Sequence, residues 1–285
     1  MTPENASPEY VAARRVLLDA LESLRPHLDA IVLVGAQAVY LHAPLGDPRP
    51  TYTTDADLAL DPQLLATHPD IAQSLAGSGF TASASGNPGS WVSADGIVVD
   101  LMVPQGAMSP SSRRTAPLSG HGSRTARRTR GLEVALFDNA PMALAALEPS
   151  DPRVIHARVA GPAALLIAKA IKIQERVDAD RRDRLSSKDA GDLLRLLRNI
   201  SAESIGRSLQ DLTSQRPEIL PIVTAALDWL DGQLTESSPL SKLAIDDRAG
   251  VEDPAQVSVA MRTLTGRMLG AYRAGGNSSS RPAIS

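Results

Sequence analysis

The chain has 285 residues, 43% of them hydrophobic, with no cysteine and a formal net charge of -3. That length and apolar content can bury a substantial core, the near-balanced charge excludes a global attraction to nucleic acid, and the missing cysteines exclude disulfides, thiolate metal sites and a cysteine nucleophile. Aromatic residues make up only 3%, so the core has to be built from Leu, Val, Ile and Ala, and base-stacking platforms are disfavoured.

The first residues, MTPENASPEYVAARR, are acidic and polar where a signal peptide is basic and then apolar, and the chain holds no apolar run of about 18 residues, which predicts a cytoplasmic protein with no membrane partner. A Ser-Pro start followed by Val11, Val16, Leu17, Leu21 and Leu24 on one face predicts an amphipathic helix over 8–25. The run from Ala30 to Val34 reads as a short strand that stops at Gly35, and Ala36 to His42 as a helix, so that backbone amides at the turn can face an anion. Three prolines make 43–52 irregular, and Asp55 to Leu60 then alternates as a half-buried strand does.

A helix is expected over 62–76 and strands over 80–85, 90–93 and 97–103. Residues 111–130 contain six arginines and no acid, with few apolar positions, and read as a basic loop. Leu132 to Phe137, Met142 to Leu147 and Val154 to Val159 read as further strands. Gly161 and Pro162 open a helix to about Val177, and helices follow over 187–199, 202–213, 217–234 and 254–273. The resulting class is α+β, a mixed sheet flanked by helices followed by a helical region. The expected domains are 1–160 and 161–274, with 275–285 as a disordered tail.

Asp55 and Asp57, one residue apart on a strand, project from the same face, and a hard divalent cation with oxygen ligands is the natural partner for two adjacent like charges. Asp100 stands in GIVVDLMVP, a strand too apolar to carry an idle carboxylate. The histidines show no ligand spacing. Lys169, Lys172 and Arg176 line one face of an apolar helix, either snorkelling to water or meeting a ligand. In KDAGDLL, Asp189 and Asp192 share a face near a helix start, where Ser186 and Asp189 also fit a capping box.

The segments VLVGAQAVYLHAP, TYTTDADLAL and VVDLMVP together resemble the polymerase-β-like nucleotidyltransferases, with their Gly-Gly or Gly-Ser turn, DxD strand and third carboxylate on a neighbouring strand. The stretch from Lys169 to Arg176, followed by Lys188-Asp189-Ala190-Gly191-Asp192-Leu193, is similar to the AbiEii/AbiGii-type toxin nucleotidyltransferases, the likeness covering about residues 30 to 200. The resemblance implies that Asp55, Asp57 and Asp100 ligate two magnesium ions, or manganese in their place, with Asp100 also activating the attacking hydroxyl. It further implies that Lys169, on a solvent-facing cleft wall, neutralises triphosphate charge, that Asp189 joins the active site, and that the helical region completes it. Gly35, Ala36, Gln37, Lys172 and Arg176 are the implied nucleotide contacts.

The implied activity is transfer of a nucleoside monophosphate from NTP to an acceptor hydroxyl, with RNA such as tRNA as acceptor and with release of pyrophosphate, by the toxin of a toxin-antitoxin pair whose antitoxin is a further partner. Two departures stand out. Ala36 replaces the family's second Gly or Ser, with Gln37 as a substitute contact, and Thr51 stands where that family has arginine, a role open to Arg49. An antibiotic-type nucleotidyltransferase and a catalytically silent nucleotide-binding module are the alternatives.

Overall fold

The structure, a computed structural model, describes residues 6–44, 53–111, 113–179 and 186–278. Arg49, Thr51 and residues 279–285 lie outside them. The chain divides into two compact units, Met1–Gly161 and Pro162–Ser285. The first holds a mixed open sheet with helices and the second is helical. Among the described residues no helix is long and apolar enough to cross a membrane.

In the first unit, helix α1 (Pro8–Ser23) is started by Ser7, whose hydroxyl accepts the Tyr10 amide hydrogen, and it buries Val16, Leu17, Leu18 and Leu21. Each such side chain contributes about 1.5–3 kcal/mol by leaving water. A 3-10 turn (Arg25–Ala30) leads into β1 (Ile31–Val34), which is buried throughout, and then α2 (Gly35–His42). There follow β2 (Asp55–Leu60), α3 (Ile71–Gly77), β3 (Thr81–Ala82), β4 (Ser90–Val92), β5 (Val98–Pro104), β6 (Arg127–Thr129), β7 (Asn139–Ala145) and β8 (Val154–Ala160). The order across the sheet is β3-β4-β5-β2-β1-β8-β7, with β6 also on β5. β1 runs antiparallel to β2 and parallel to β8, while β2 and β5 are parallel. Helix α1 lies against β2, β5 and β8, and α2 against β1 and β2.

Three stretches of this unit depart from the sequence expectation. Helix α3 begins only at Ile71, because Pro69 disfavours a helical residue before it and Asp70 caps the start, accepting the Gln73 amide hydrogen at 2.8 Å. Leu132 to Phe137 is a 3-10 turn (Glu133–Leu136) instead of a strand, and the Glu133 carboxylate accepts the amide hydrogens of Gly106 and Gly131. The basic segment is folded in part. The Ala116 amide donates to the Ala126 carbonyl, the Arg128 amide to the Arg114 carbonyl, and Ala116, Leu118, Thr125 and Ala126 are buried. Backbone pairing to β5 and a few small side chains replace the apolar periodicity that the segment lacks.

In the second unit, Pro162 opens α4 (Pro162–Asp178), which is followed by α5 (Ser187–Asn199), α6 (Ala202–Gln215), α7 (Leu220–Gly232), α8 (Pro239–Asp247) and α9 (Pro254–Ser278). A 3-10 turn (Pro217–Ile219) precedes α7, so the helix expected over 217–234 is interrupted near Pro221, which has no amide hydrogen to donate. Helix α8, unanticipated from the sequence, starts as α1 does, with the Ser238 hydroxyl accepting the Ser241 amide hydrogen before Pro239. Val257, Met261, Thr265, Met268 and Leu269 form the buried stripe of α9, which continues to Ser278 through the start of the expected tail. A side chain at Gly206 on α6 would overlap the Met268 carbonyl on α9, so glycine permits the close approach of these two helices.

Candidate functional site

In the first unit the acids of β2 and β5 fall on one sheet face. The register pairs Asp57 with Asp100 and Asp55 with Val98, so that Asp57 and Asp100 are direct cross-strand neighbours and Asp55 lies two residues along on the same face. Val34 pairs with Asp57 on the far side and Ser90 with Asp100 on the near side, giving a lateral row Ser90-Asp100-Asp57-Val34. The intervening Ala56, Leu58, Val99 and Leu101 are fully buried, whereas the three acids are only half-buried. Alternation of the strands therefore sends the apolar residues inward and the carboxylates to the accessible face.

Each acid is held in place by a neighbour. The Thr53 hydroxyl donates to Asp55 Oδ1 at 2.6 Å. The Asp57 carboxylate lies against the α-carbon of Gly35, the first residue of α2, whose φ of +70° also favours glycine. Asp100 accepts the Ser90 hydroxyl at 2.5 Å on Oδ1 and an Arg127 guanidinium hydrogen at 2.7 Å on Oδ2. The exposures of the Arg127 and Asp100 side chains are 15% and 18%. Burial alone would lower the pKa of Arg127, but the hydrogen bond to Asp100 and the charges of Asp100, Asp57 and Asp55 raise it. Arg127 is thus one counter-charge to the row, bonded directly to Asp100. It comes from β6, which pairs Arg127 with Met102, two residues beyond Asp100.

The donor set suits a hard divalent cation, since the side chains are carboxylates on one face and a side chain at Gly35 would close the space beside Asp57. Among the described residues there is no group of three or more acidic or imidazole side chains gathered for a metal.

Gln37 is committed to the interior. Its Oε1 accepts from Arg14 Nε at 2.9 Å and its Nε2 donates to the carbonyls of Ala13 at 3.2 Å and Asp55 at 3.0 Å. It is 1% exposed, so its side chain fastens α2 to α1 and β2 and does not replace the missing hydroxyl at Ala36, which is itself buried. The expectation of Gln37 as a phosphate contact is corrected accordingly.

The second unit gathers Lys169, Lys172 and Arg176 of α4 with Asp189 and Asp192 of α5. Lys169 Nζ donates to Asp189 Oδ1 at 2.8 Å and to Asp192 Oδ2 at 2.7 Å. Lys172 reaches Asp189 Oδ1 at 3.1 Å and Arg176 reaches Asp189 Oδ2 at 2.8 Å. Lys169 is not on a solvent-facing wall: its side chain is 6% exposed and those of both aspartates 4%, against 45% for Lys172. Burial opposes its charge, yet Asp189 and Asp192 hold its pKa above the ordinary lysine range. Burial likewise opposes ionisation of Asp189, and Lys169, Lys172 and Arg176 overcome it, holding that carboxyl below the usual range. The capping box is absent. The Ser186 side chain makes no capping hydrogen bond, and Asp189 turns toward the lysines instead.

Arg127, Ser90 and Thr53 were not singled out from sequence. Arg127 was one of six indistinguishable arginines, and only its register against β5 selects it. The chain matches no family model, no curated protein and no solved structure.

Proposed function

We propose that this chain is a metal-dependent nucleotidyltransferase that moves a nucleoside monophosphate from NTP to an acceptor hydroxyl, with RNA such as tRNA as the acceptor and a cytoplasmic toxin-antitoxin pair as the setting. The observation that carries the reading is the cross-strand register of Asp57 and Asp100, with Asp55 beside them on the accessible face. Asp55, Asp57 and Asp100 would hold the magnesium. When bound, two such ions neutralise the triphosphate and stabilise the entering and leaving oxygens of an in-line displacement. Thr53 and Ser90 fix the rotamers of Asp55 and Asp100 through hydrogen bonds. The resemblance to polymerase-β-like nucleotidyltransferases assigns Asp100 as the base of this reading. An arginine at the acids, on a segment with five more, favours an anionic acceptor over a cationic antibiotic. The setting rests on the resemblance of the Lys169–Leu193 stretch.

A catalytically silent nucleotide-binding module is the second reading, favoured by the Arg127–Asp100 ion pair and by the hydrocarbon side chain of Ala36. Incubation of the purified chain with each α-labelled NTP, magnesium or manganese, and total RNA separates the two. Transfer predicts label in RNA that disappears in Asp57→Asn. Nucleotide binding without label in any acceptor would leave the silent reading in its place.

A further inference from the structure

The acid row already has a cation, and that cation belongs to the chain. Arg127 donates to Asp100 Oδ2 at 2.7 Å, and Asp57 and Asp55 also act on its charge. It is delivered by a three-residue strand whose backbone pairs with Met102, Val103 and Pro104 of β5, so its anchorage does not depend on the ion pair. The neighbouring Arg128 is fastened to the carbonyls of Thr115 and Ser109, which orients β6 independently of Arg127. Hence the guanidinium can leave the carboxylates while the strand that bears it stays in place. A guanidinium and a divalent ion compete for the same oxygens.

We infer that Arg127 is an internal competitor for the metal, holding Asp100 until a divalent ion displaces it. The inference rests on the metal-binding reading of the acid row and adds a regulation to that site. Three consequences are built into the geometry. Metal affinity is set by the exchange of one cation for another and is weaker than three carboxylates alone would give. Asp100 becomes available as ligand and base only in the loaded state. Arg127, once displaced, is a free guanidinium beside the row, of the shape and charge that bind a phosphate bidentately. The ion pair that favours a silent module is then the resting state of a working one.

The test is manganese binding to the full chain without nucleotide, read from the loss of the free-ion signal in electron paramagnetic resonance. Arg127→Gln, which keeps a hydrogen-bond donor and removes the charge, is expected to bind manganese at least about tenfold more tightly than the parent, because a unit charge a few ångström away is lost from a partly desolvated site. Equal affinity, weaker affinity, or no binding by either protein overturns the inference. A second measurement needs no variant. Phenylglyoxal labelling of Arg127 in the parent chain, followed by peptide mapping, is expected to rise when manganese is added, and an unchanged or reduced extent counts against displacement. Nucleotide transfer is scored separately. A variant that binds manganese more tightly but labels no acceptor keeps Arg127 as competitor and removes the transferase reading, while transfer with unchanged manganese affinity does the reverse.

Discussion

Lys169→Ala removes an ammonium that touches two carboxylates, Asp189 at 2.8 Å and Asp192 at 2.7 Å, in surroundings where all three side chains are 6% exposed or less. Asp189 retains Lys172 and Arg176, so the larger loss falls on Asp192, buried on the same helix. Stranding one member of a buried ion pair costs about 3–5 kcal/mol, which for a unit of this size is a fall in Tm on the order of 10–20 °C. Urea unfolding followed by far-UV circular dichroism measures it. Lys172→Ala is the internal comparison: its side chain is 45% exposed, and its removal is expected to cost under about 1 kcal/mol. Asp192→Asn in the Lys169→Ala background should return part of the loss, since it removes the stranded charge. Equal losses at the two lysines, or a Lys169→Ala protein within about 0.5 kcal/mol of the parent, would refute the buried-cluster account and return Lys169 to the role of an accessible phosphate contact. Activity of Lys169→Ala is interpretable only after this measurement.

The same cluster sets the sign of the pH dependence. Asp189 is held below its unfolded value of about 3.9, so its contribution is present above that pH and lost as pH falls further, whereas Lys169 is held above about 10.4, so its contribution is present below that pH and lost as pH rises. Thermal melts are therefore expected to be flat with respect to this cluster from about pH 5 to 10, and a second unit that gains stability on acidification from pH 5 to 3 would contradict it. Gly35→Ala forces a side chain into a φ of +70° and into the Asp57 carboxylate. The backbone strain alone costs about 1–3 kcal/mol. Asp57→Ala should relieve part of the total in the doubly substituted chain, and strictly additive losses would mean that the two residues do not touch.

The parts legible in the sequence are those with a period or a punctuation mark. The alternation of Asp55 to Leu60 marks a strand whose parity puts Asp55 and Asp57 on one side, and the apolar run around Asp100 marks a second strand. Their pairing was not legible, because register is a long-range choice that neither strand encodes alone. The α5 helix matches the expected 187–199 because its apolar spacing is regular, even though the expected capping box does not form. Helix α8 is not legible in the sequence although Ser238-Pro239 carries the same start signal as Ser7-Pro8. Its nine residues are too few for periodicity to stand out. Lys169 shows the limit of pattern reading most clearly. A lysine on an apolar helix looks the same whether it snorkels outward or meets two aspartates inward, and the deciding residues lie 20 and 23 positions away. Arg127 was hidden for a related reason, since charge alone does not separate it from its five neighbours in the segment.

The strand order also bears on what the ends of the sheet offer to a second copy of the chain. An open sheet exposes unpaired backbone at both ends and invites edge-to-edge association. Here one end is β3, only two residues long, and the other is β7, which carries Pro141. A two-residue strand offers little to pair with, and proline cannot donate a ladder hydrogen bond. The strand that does join outside the main order, β6, attaches instead to inner strand β5, continuing the edge where β4 stops. That internal lengthening of the sheet is the one that brings Arg127 to Asp100.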